Sequence, residues 1–282
     1  MSTPIGNLAD LTYRAVQVLG EVDRILAEDT RRTAILIRHY GIATPLVSLH
    51  AFNEAARVKR VLGWLAAGEA LALVSDAGTP LLSDPGARIV QQAVEAGHTI
   101  IPVPGASALL AALVASGLEP EPFTFYGFLP RRGRGRAAAL AAAASSLHTA
   151  VFYEAPGRIV ELLQELAEQC GPARRVVVAR ELTKVHETFF RGTLEAAVAY
   201  YGREAPRGEV VVLVAGRAGA AETTDRGAAE AAVAAAARAL LREGKRPSAI
   251  ARELGRRFAV PRNRAYEIVL AIAGDEDRGK AS

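Results

Sequence analysis

The residues best suited to chemistry lie in short polar runs that follow apolar ones. In VSDAGTPLLSDPG, residues 74–86, the apolar run Leu71–Val74 empties into two aspartates, two glycines, two prolines, a threonine and two serines. A plain turn needs one or two such residues, because Gly supplies positive φ and Pro fixes φ. A longer set shapes a backbone surface against which a ligand can lie. AEDTRRT, residues 27–33, places Glu28 and Asp29 just before Arg31, a mixture suited to holding a hydroxyl beside a phosphate. The plainer reading is a helix cap by Asp29 or Thr30 with an arginine ion pair.

A second chemistry is phosphate contact. RRGRGR, residues 131–136, packs four arginines into six positions, and Arg238 to Arg264 holds nine Lys or Arg against two Glu. The net charge of +4 is mild, so this distribution says more than the sum. Metal chemistry is not expected: the five histidines (39, 50, 98, 148 and 186) show no ligand spacing. The single cysteine, Cys170, excludes an internal disulfide and a cysteine-rich zinc site, and reads as a small core residue.

These runs need a frame to hold them. At 282 residues the chain has the length of two domains with separate cores. Residues 10–128 alternate helical periodicity with β-rich runs, the pattern of a parallel sheet covered on both faces. Strands are predicted at Arg24–Ala27, Leu46–Leu49, Leu71–Val74, Thr99–Val103 and Phe123–Phe128. Helices are predicted around Ala15/Val18/Leu19/Val22, Val58/Val61/Leu62/Leu65 and Ile89/Val90/Ala93/Val94. Each predicted strand ends in a polar or Gly/Pro loop, and open α/β sheets bind ligands outside those ends.

FLPRRGRGR then interrupts the pattern and reads as a linker or mobile loop over 129–136. A second α/β unit over 137–217 follows, with strands in TAVFYE, RRVVVAR, HETFFRG and GEVVVLVAG and helices at Ile159–Gln169 and Leu194–Tyr201. The Ala-rich stretch 218–237 reads as a tether running into a helix. Residues 238–282 carry a helix-turn-helix outline: Ile250, Leu254 and Phe258 line one helix, Pro261 punctuates, and Ala265, Ile268, Val269 and Ile272 line the next. No run is long and apolar enough to cross a bilayer, and MSTPIGNLADLTYRAV lacks the features of a signal peptide, so a cytoplasmic protein is expected.

Taken in order, TPIGNLADLTYRA, AEDTRRT, SLHAFNE, VSDAGTPLLSDPGARIV, VPGASALLAAL, YGFLPR, RELTKVHETFFRG and GEVVVLVAG resemble the ribosomal small-subunit methyltransferase I family of the tetrapyrrole methylase superfamily. The resemblance runs from residue 2 to about residue 273. It implies a two-domain tetrapyrrole-methylase fold, with a doubly wound, mostly parallel sheet, a second mixed α/β domain and a C-terminal helix-turn-helix extension. It also implies methyl transfer from S-adenosyl-L-methionine to the ribose 2′-oxygen of a cytidine in the decoding region of 16S rRNA. The small ribosomal subunit is then the partner, and the chain is expected to work as a homodimer without metal. Relatives carry an apolar strand before the TPIGN loop, whereas only Met1 and Ser2 precede Thr3 here, so a start codon further upstream is expected.

The superfamily's cofactor pattern maps onto Pro4, Gly6, Asp76, Gly78, Ser107, Ala108, Tyr153 and Ala215. Asp76, at the end of a buried strand, suits a cofactor amino group or positive charge, against a plain capping role. Asp84 reads instead as a helix N-cap with Pro85 at the first helical position. Gly105 is expected to permit a tight turn, and Ser107 divides evenly between capping a helix and touching cofactor. For the base that takes the hydroxyl proton, Glu28, Asp29, Glu54 and Glu154 are candidates, with Arg31 beside them. His50 has an RNA-side reading against plain packing. Arg131, Arg132, Arg134, Arg136, Arg256, Arg257, Arg262 and Arg264 are the candidates for RNA phosphates, against solvated surface. Two other functions compete: a tetrapyrrole C-methyltransferase with a cleft for an anionic macrocycle, and a non-enzymatic helix-turn-helix binder.

Overall fold

The computed structural model describes residues 1–203, 208–217, 232–241, 243, 245–258, 265–266, 268–269 and 272. The chain divides into two compact units, Met1–Arg217 and Ala218–Ser282.

The first unit contains two sheets. β1 (Arg24–Ala27), β2 (Leu46–Ser48) and β3 (Leu71–Val74) form a parallel sheet in the order β2-β1-β3. Their crossovers are α2 (Thr30–His39) and α3 (Glu54–Ala66), and α1 (Tyr13–Glu21) precedes them. Each helix buries one stripe: Ala15 and Leu19 from α1, Thr33 and Leu36 from α2. α4 (Ala87–Glu95) buries Ile89 and Ala93. Thr99–Val103, expected as a strand, carries no ladder. Among the described residues its backbone partner is Ser2, whose N–H donates to Val103 O at 3.1 Å, and Met1 in turn donates to Leu73 O at 2.8 Å.

The second sheet is mixed, ordered β4-β5-β8-β6-β7. It comprises β4 (Phe123–Phe128), β5 (Thr149–Glu154), β6 (Arg175–Arg180), β7 (Thr188–Thr193) and β8 (Val210–Val214). β4 and β5 are parallel, whereas β8 runs antiparallel to both β5 and β6. Alternation sorts its side chains between two cores. Phe152, Val178 and Val212 face α6 (Arg134–Ser145), α7 (Ile159–Cys170) and α8 (Leu194–Tyr201), while Val151, Val177, Val211 and Leu213 face α5 (Ala108–Ser116). Helix α7 meets the first core with Ile159, Leu162, Leu163 and Leu166, the i, i+3, i+4, i+7 spacing of a single face.

Two sequence expectations change here. The boundary drawn at residue 128 falls inside the second sheet, because β4 pairs with β5 and α5 packs on β6 and β8. The arginine-rich stretch 129–136 is not a free linker: Arg134 opens α6, the crossover of the β4-α6-β5 unit, and Arg136 is 3% exposed. Its guanidinium donates to both carboxylate oxygens of Glu165 and to Pro130 O at 3.2 Å, so burial is compensated by a full set of partners.

The second unit has its own apolar cluster. Residues 232–241 are helical, as is Pro247–Phe258. Val233, Ala237 and Leu240 meet Ile250, Leu254, Ala265 and Val269. Phe258, Ile268 and Ile272 pack against that cluster, as the predicted stripes require. Pro261, at the predicted turn, lies outside the described residues.

Candidate active site

A cleft of about 390 Å³ opens within the first unit. One wall comes from the loops after β1 and β3, the other from the end of β5, the start of β8, the loop after β6 and the first turn of α5. Of the eight residues mapped to a cofactor, Asp76, Gly78, Ser107, Ala108 and Tyr153 line it.

Each of these has a structural job as well. Gly78 exchanges backbone hydrogen bonds with Thr3 at 2.9 and 3.0 Å and holds φ at +78°, a conformation in which glycine is unstrained. Ser107 both caps α5, accepting from Leu110 N–H at 3.5 Å, and lines the cleft, so its two readings coexist. The Tyr153 hydroxyl accepts from Leu109 N–H at 3.1 Å, and burial pushes its pKa upward. Asp76 Oδ1 accepts the Asp29 N–H at 2.8 Å and Oδ2 lies 3.6 Å from Arg32, so Asp76 joins the β1 and β3 loops while facing the cleft.

The other three mapped residues stand differently. Pro4 lines a smaller neighbouring cavity with Asp76 and Arg32. Gly6 lets two loops meet, since a Cβ there would lie 2.8 Å from Leu182 O. Ala215 is a correction: it follows β8 at the end opposite the cleft, its N–H donating to Arg175 O at the start of β6. The reason is strand direction. β8 is antiparallel, so its amino end, Glu209 to Val211, meets the carboxyl end of β5 at the cleft.

Among the proposed bases, Glu28 lines the cleft. Burial first and Asp76 second raise its pKa. Asp29 caps α2, accepting from Arg31 N–H at 2.9 Å, and its side chain grips the Arg31 guanidinium. That pairing holds its carboxyl well below the usual range, the plainer of its two readings. Glu54 is also corrected: its Oε1 accepts from Arg88 N–H at 2.8 Å and Ile89 N–H at 3.3 Å, capping α4 rather than entering the cleft. Glu154 also lines the cleft but is 1% exposed, with Oε2 3.5 Å from Arg158 and 4.0 Å from Arg136 and without a hydrogen bond among the described residues.

Asp84, expected as a helix N-cap, is corrected as well. The N-cap of α4 is Gly86, at φ +116°, and Asp84 lines the cleft instead. Burial, then the nearby Glu28 charge, pushes its pKa up to about 6, against an opposing hydrogen bond from Ser75. Leu81 and Ser83, at φ +73° and +76°, turn the chain there, and Glu181 and Thr183, at +54° and +66°, do so on the facing wall. Non-glycine residues in this region carry backbone strain, which concentrates at functional sites and leaves no compositional trace. Six carboxylates line the cleft (Glu28, Asp76, Asp84, Glu154, Glu181 and Glu209) against Arg32 and Lys184, a field that favours a cation. Gly105 is a further correction: it permits close approach rather than a turn, since a Cβ would stand 3.0 Å from Ser2 Cβ.

The RNA candidates separate by exposure. Arg131, Arg132 and Arg134 are exposed, while the buried Arg136 is withdrawn from that role by its pairing with Glu165. Arg257 is exposed, its guanidinium 5.3 Å from the Phe258 ring. Arg262, Arg264 and the side chain of Arg256 lie outside the described residues. Among the described residues no group of three or more His, Cys, Asp or Glu is arranged to hold a metal ion, and no helix is long and apolar enough to cross a membrane.

Known proteins match this arrangement. The profile of the Tetrapyrrole (Corrin/Porphyrin) Methylases covers residues 2–198. A Synechocystis sp. protein named Ribosomal RNA small subunit methyltransferase I is 43% identical over 98% of this chain and 98% of its own length. A Xylella fastidiosa protein of the same name is 45% identical over 94% and 96%. Among solved structures, diphthine synthase has a TM-score of 0.60 at 17% identity, covering 75% of this chain and 87% of that one. The methyltransferase CobJ has a TM-score of 0.57 at 22% identity, covering 76% and 91%. Two sheets around an acidic cleft, and sequence identity along nearly the whole length, place the chain in the ribosomal RNA small subunit methyltransferase I family, within the tetrapyrrole methylases.

Proposed function

We propose that this chain transfers a methyl group from S-adenosyl-L-methionine to the ribose 2′-oxygen of a cytidine in the decoding region of 16S rRNA. The observation that carries the reading is the acid-lined cleft, fitted to a positively charged donor, in a chain whose full-length relatives bear the rRNA methyltransferase name. S-adenosylmethionine, when bound, supplies an electrophilic methyl on a sulfonium. Asp76, Gly78, Ser107, Ala108 and Tyr153 would hold it, with Pro4 and Gly6 shaping the adjoining loop.

The protein's own work is then positioning and proton transfer, and positioning alone is worth roughly 7–11 kcal/mol of barrier. Glu28 and Asp84 face the cleft from its β1 and β3 loops, and burial pushes the Asp84 pKa up to about 6, toward the range that suits a general base. The proton leaving the 2′-hydroxyl goes to this carboxylate pair. Exposed Arg131, Arg132, Arg134 and Arg257 engage RNA phosphates, and the protein acts as a homodimer in the cytoplasm. An anionic tetrapyrrole fits the same cleft poorly, because the cleft's carboxylates outnumber its cations, Arg32 and Lys184.

The test is to incubate the purified full chain with methyl-labelled S-adenosylmethionine and either 30S subunits lacking the modification or uroporphyrinogen. Label is expected in one 2′-O-methylcytidine of 16S rRNA. Label in the tetrapyrrole, or in neither, overturns it.

A further inference from the structure

The loop after β2 presents an aromatic ring with no partner core. Phe52 is 99% exposed at the tip of residues 50–53, where among the described residues its aromatic neighbour is His50, with centroids 6.2 Å apart. The tip is nevertheless held firmly. Asn53 Oδ1 accepts the His50 N–H at 2.9 Å, and His50 O accepts the N–H groups of Asn53 and Glu54, both at 3.0 Å. A ring carried outward on a hydrogen-bonded turn starts from a preorganised backbone, so binding has only the side-chain rotation left to order.

The surroundings say which contact. Leu49 N–H donates to Ala27 O at 2.7 Å, which ties this loop to the end of β1, one residue before the cleft-lining Glu28. Arg31 and Arg32, with side chains 89% and 65% exposed, open the helix that follows. Exposed Arg88 donates its backbone N–H to Glu54 Oε1, beside the tip. The acids among these groups, Asp29 and Glu54, are engaged by Arg31 and by the α4 amino end. An exposed aromatic ring, on a loop tied to the strand end from which two exposed arginines follow, is the chemistry that single-stranded RNA meets: bases stack on the ring while cations follow the phosphates.

We infer that Phe52 is a stacking platform for an unpaired base of the RNA substrate, holding the strand at the rim of the cleft; this rests on the rRNA reading above. The test compares the full wild-type chain with Phe52→Ala and Phe52→Trp, using a fluorescein-labelled single-stranded RNA oligonucleotide in anisotropy titrations and 30S subunits in methyl transfer. Phe52→Ala should weaken oligonucleotide binding about tenfold, the loss of one stacked base. It should raise KM for 30S subunits while S-adenosylmethionine affinity and kcat stay unchanged. Phe52→Trp should restore binding, and its added emission should be quenched by RNA, against a background of the single native Trp64.

Equal oligonucleotide affinity for wild type and Phe52→Ala, or an unquenched Phe52→Trp, overturns the inference. So does a change of sedimentation coefficient in Phe52→Ala with unchanged RNA affinity, which assigns the ring to contact with a second copy. Because anisotropy needs no methyl transfer, a chain that binds RNA through Phe52 yet leaves 30S subunits unmethylated removes the proposed reaction and not the platform.

Discussion

At the residue scale, the cleft turns on carboxylates whose neighbours set their behaviour. Asp29 and Asp84 have the same side chain and opposite fates. The Arg31 fork drives Asp29 down, while burial and Glu28 push Asp84 up to about 6 from the usual 3.8. A raised carboxyl pKa means that the ionised form costs the fold stability. The penalty is absent below the unfolded value, grows as pH rises through about 6, and is complete above it. Asp84→Asn should therefore melt higher than wild type at pH 8, with the gain vanishing near pH 4, a comparison made by thermal denaturation across pH. In methyl transfer the same variant should lose roughly 10²-fold in kcat, the lower range for a missing general base. It should also lose the acidic limb expected of wild type near pH 6. An unchanged pH–rate profile assigns the proton elsewhere.

At the element scale, one arginine-rich run serves two purposes, and position in a helix decides which. Arg136 turns inward from the first turn of α6 onto Glu165 beneath the second sheet, whereas Arg131 and Arg132 precede the helix and stay in solvent. Arg136→Ala leaves Glu165 without its cation and Glu154 with Arg158 alone, so urea denaturation should show a loss of about 3 kcal/mol, the lower end for a broken buried pair. The pair Arg131→Ala and Arg132→Ala should leave stability untouched and weaken rRNA binding, with a salt dependence shallower by about one unit for each phosphate no longer neutralised. Sequence alone could not divide the run, because four arginines between glycines carry no helical stripe. The same limit explains Ala215 and Asp84: β8 has the composition of any buried strand, and its reversed direction comes from pairing partners distant in the chain. The left-handed turns at Leu81 and Ser83, which aim Asp84, involve residues with no preference for that conformation. What was legible had a local cause. The bounds of β1, β3 and β4 follow from apolar runs closed by turn residues, and α8 follows from its Thr193 cap and buried stripe.

At the scale of the whole molecule, two sheets that meet edge loops to edge loops build a cleft neither could form alone. The three-stranded sheet supplies Glu28 and Asp76, and the mixed sheet supplies Tyr153 and Val210. Such folds commonly place ligands at these junctions. The second unit keeps a separate apolar cluster, so a chain ending at Arg217 should fold and bind S-adenosylmethionine by calorimetry while losing affinity for 30S subunits. The most direct test of the central claim is an experimental structure of the full chain crystallised with S-adenosylhomocysteine. The nucleoside should lie inside the cleft, against Asp76, Gly78, Ser107, Ala108 and Tyr153. A product molecule bound at any other surface, or crystals that take up none at saturating concentration, would contradict it.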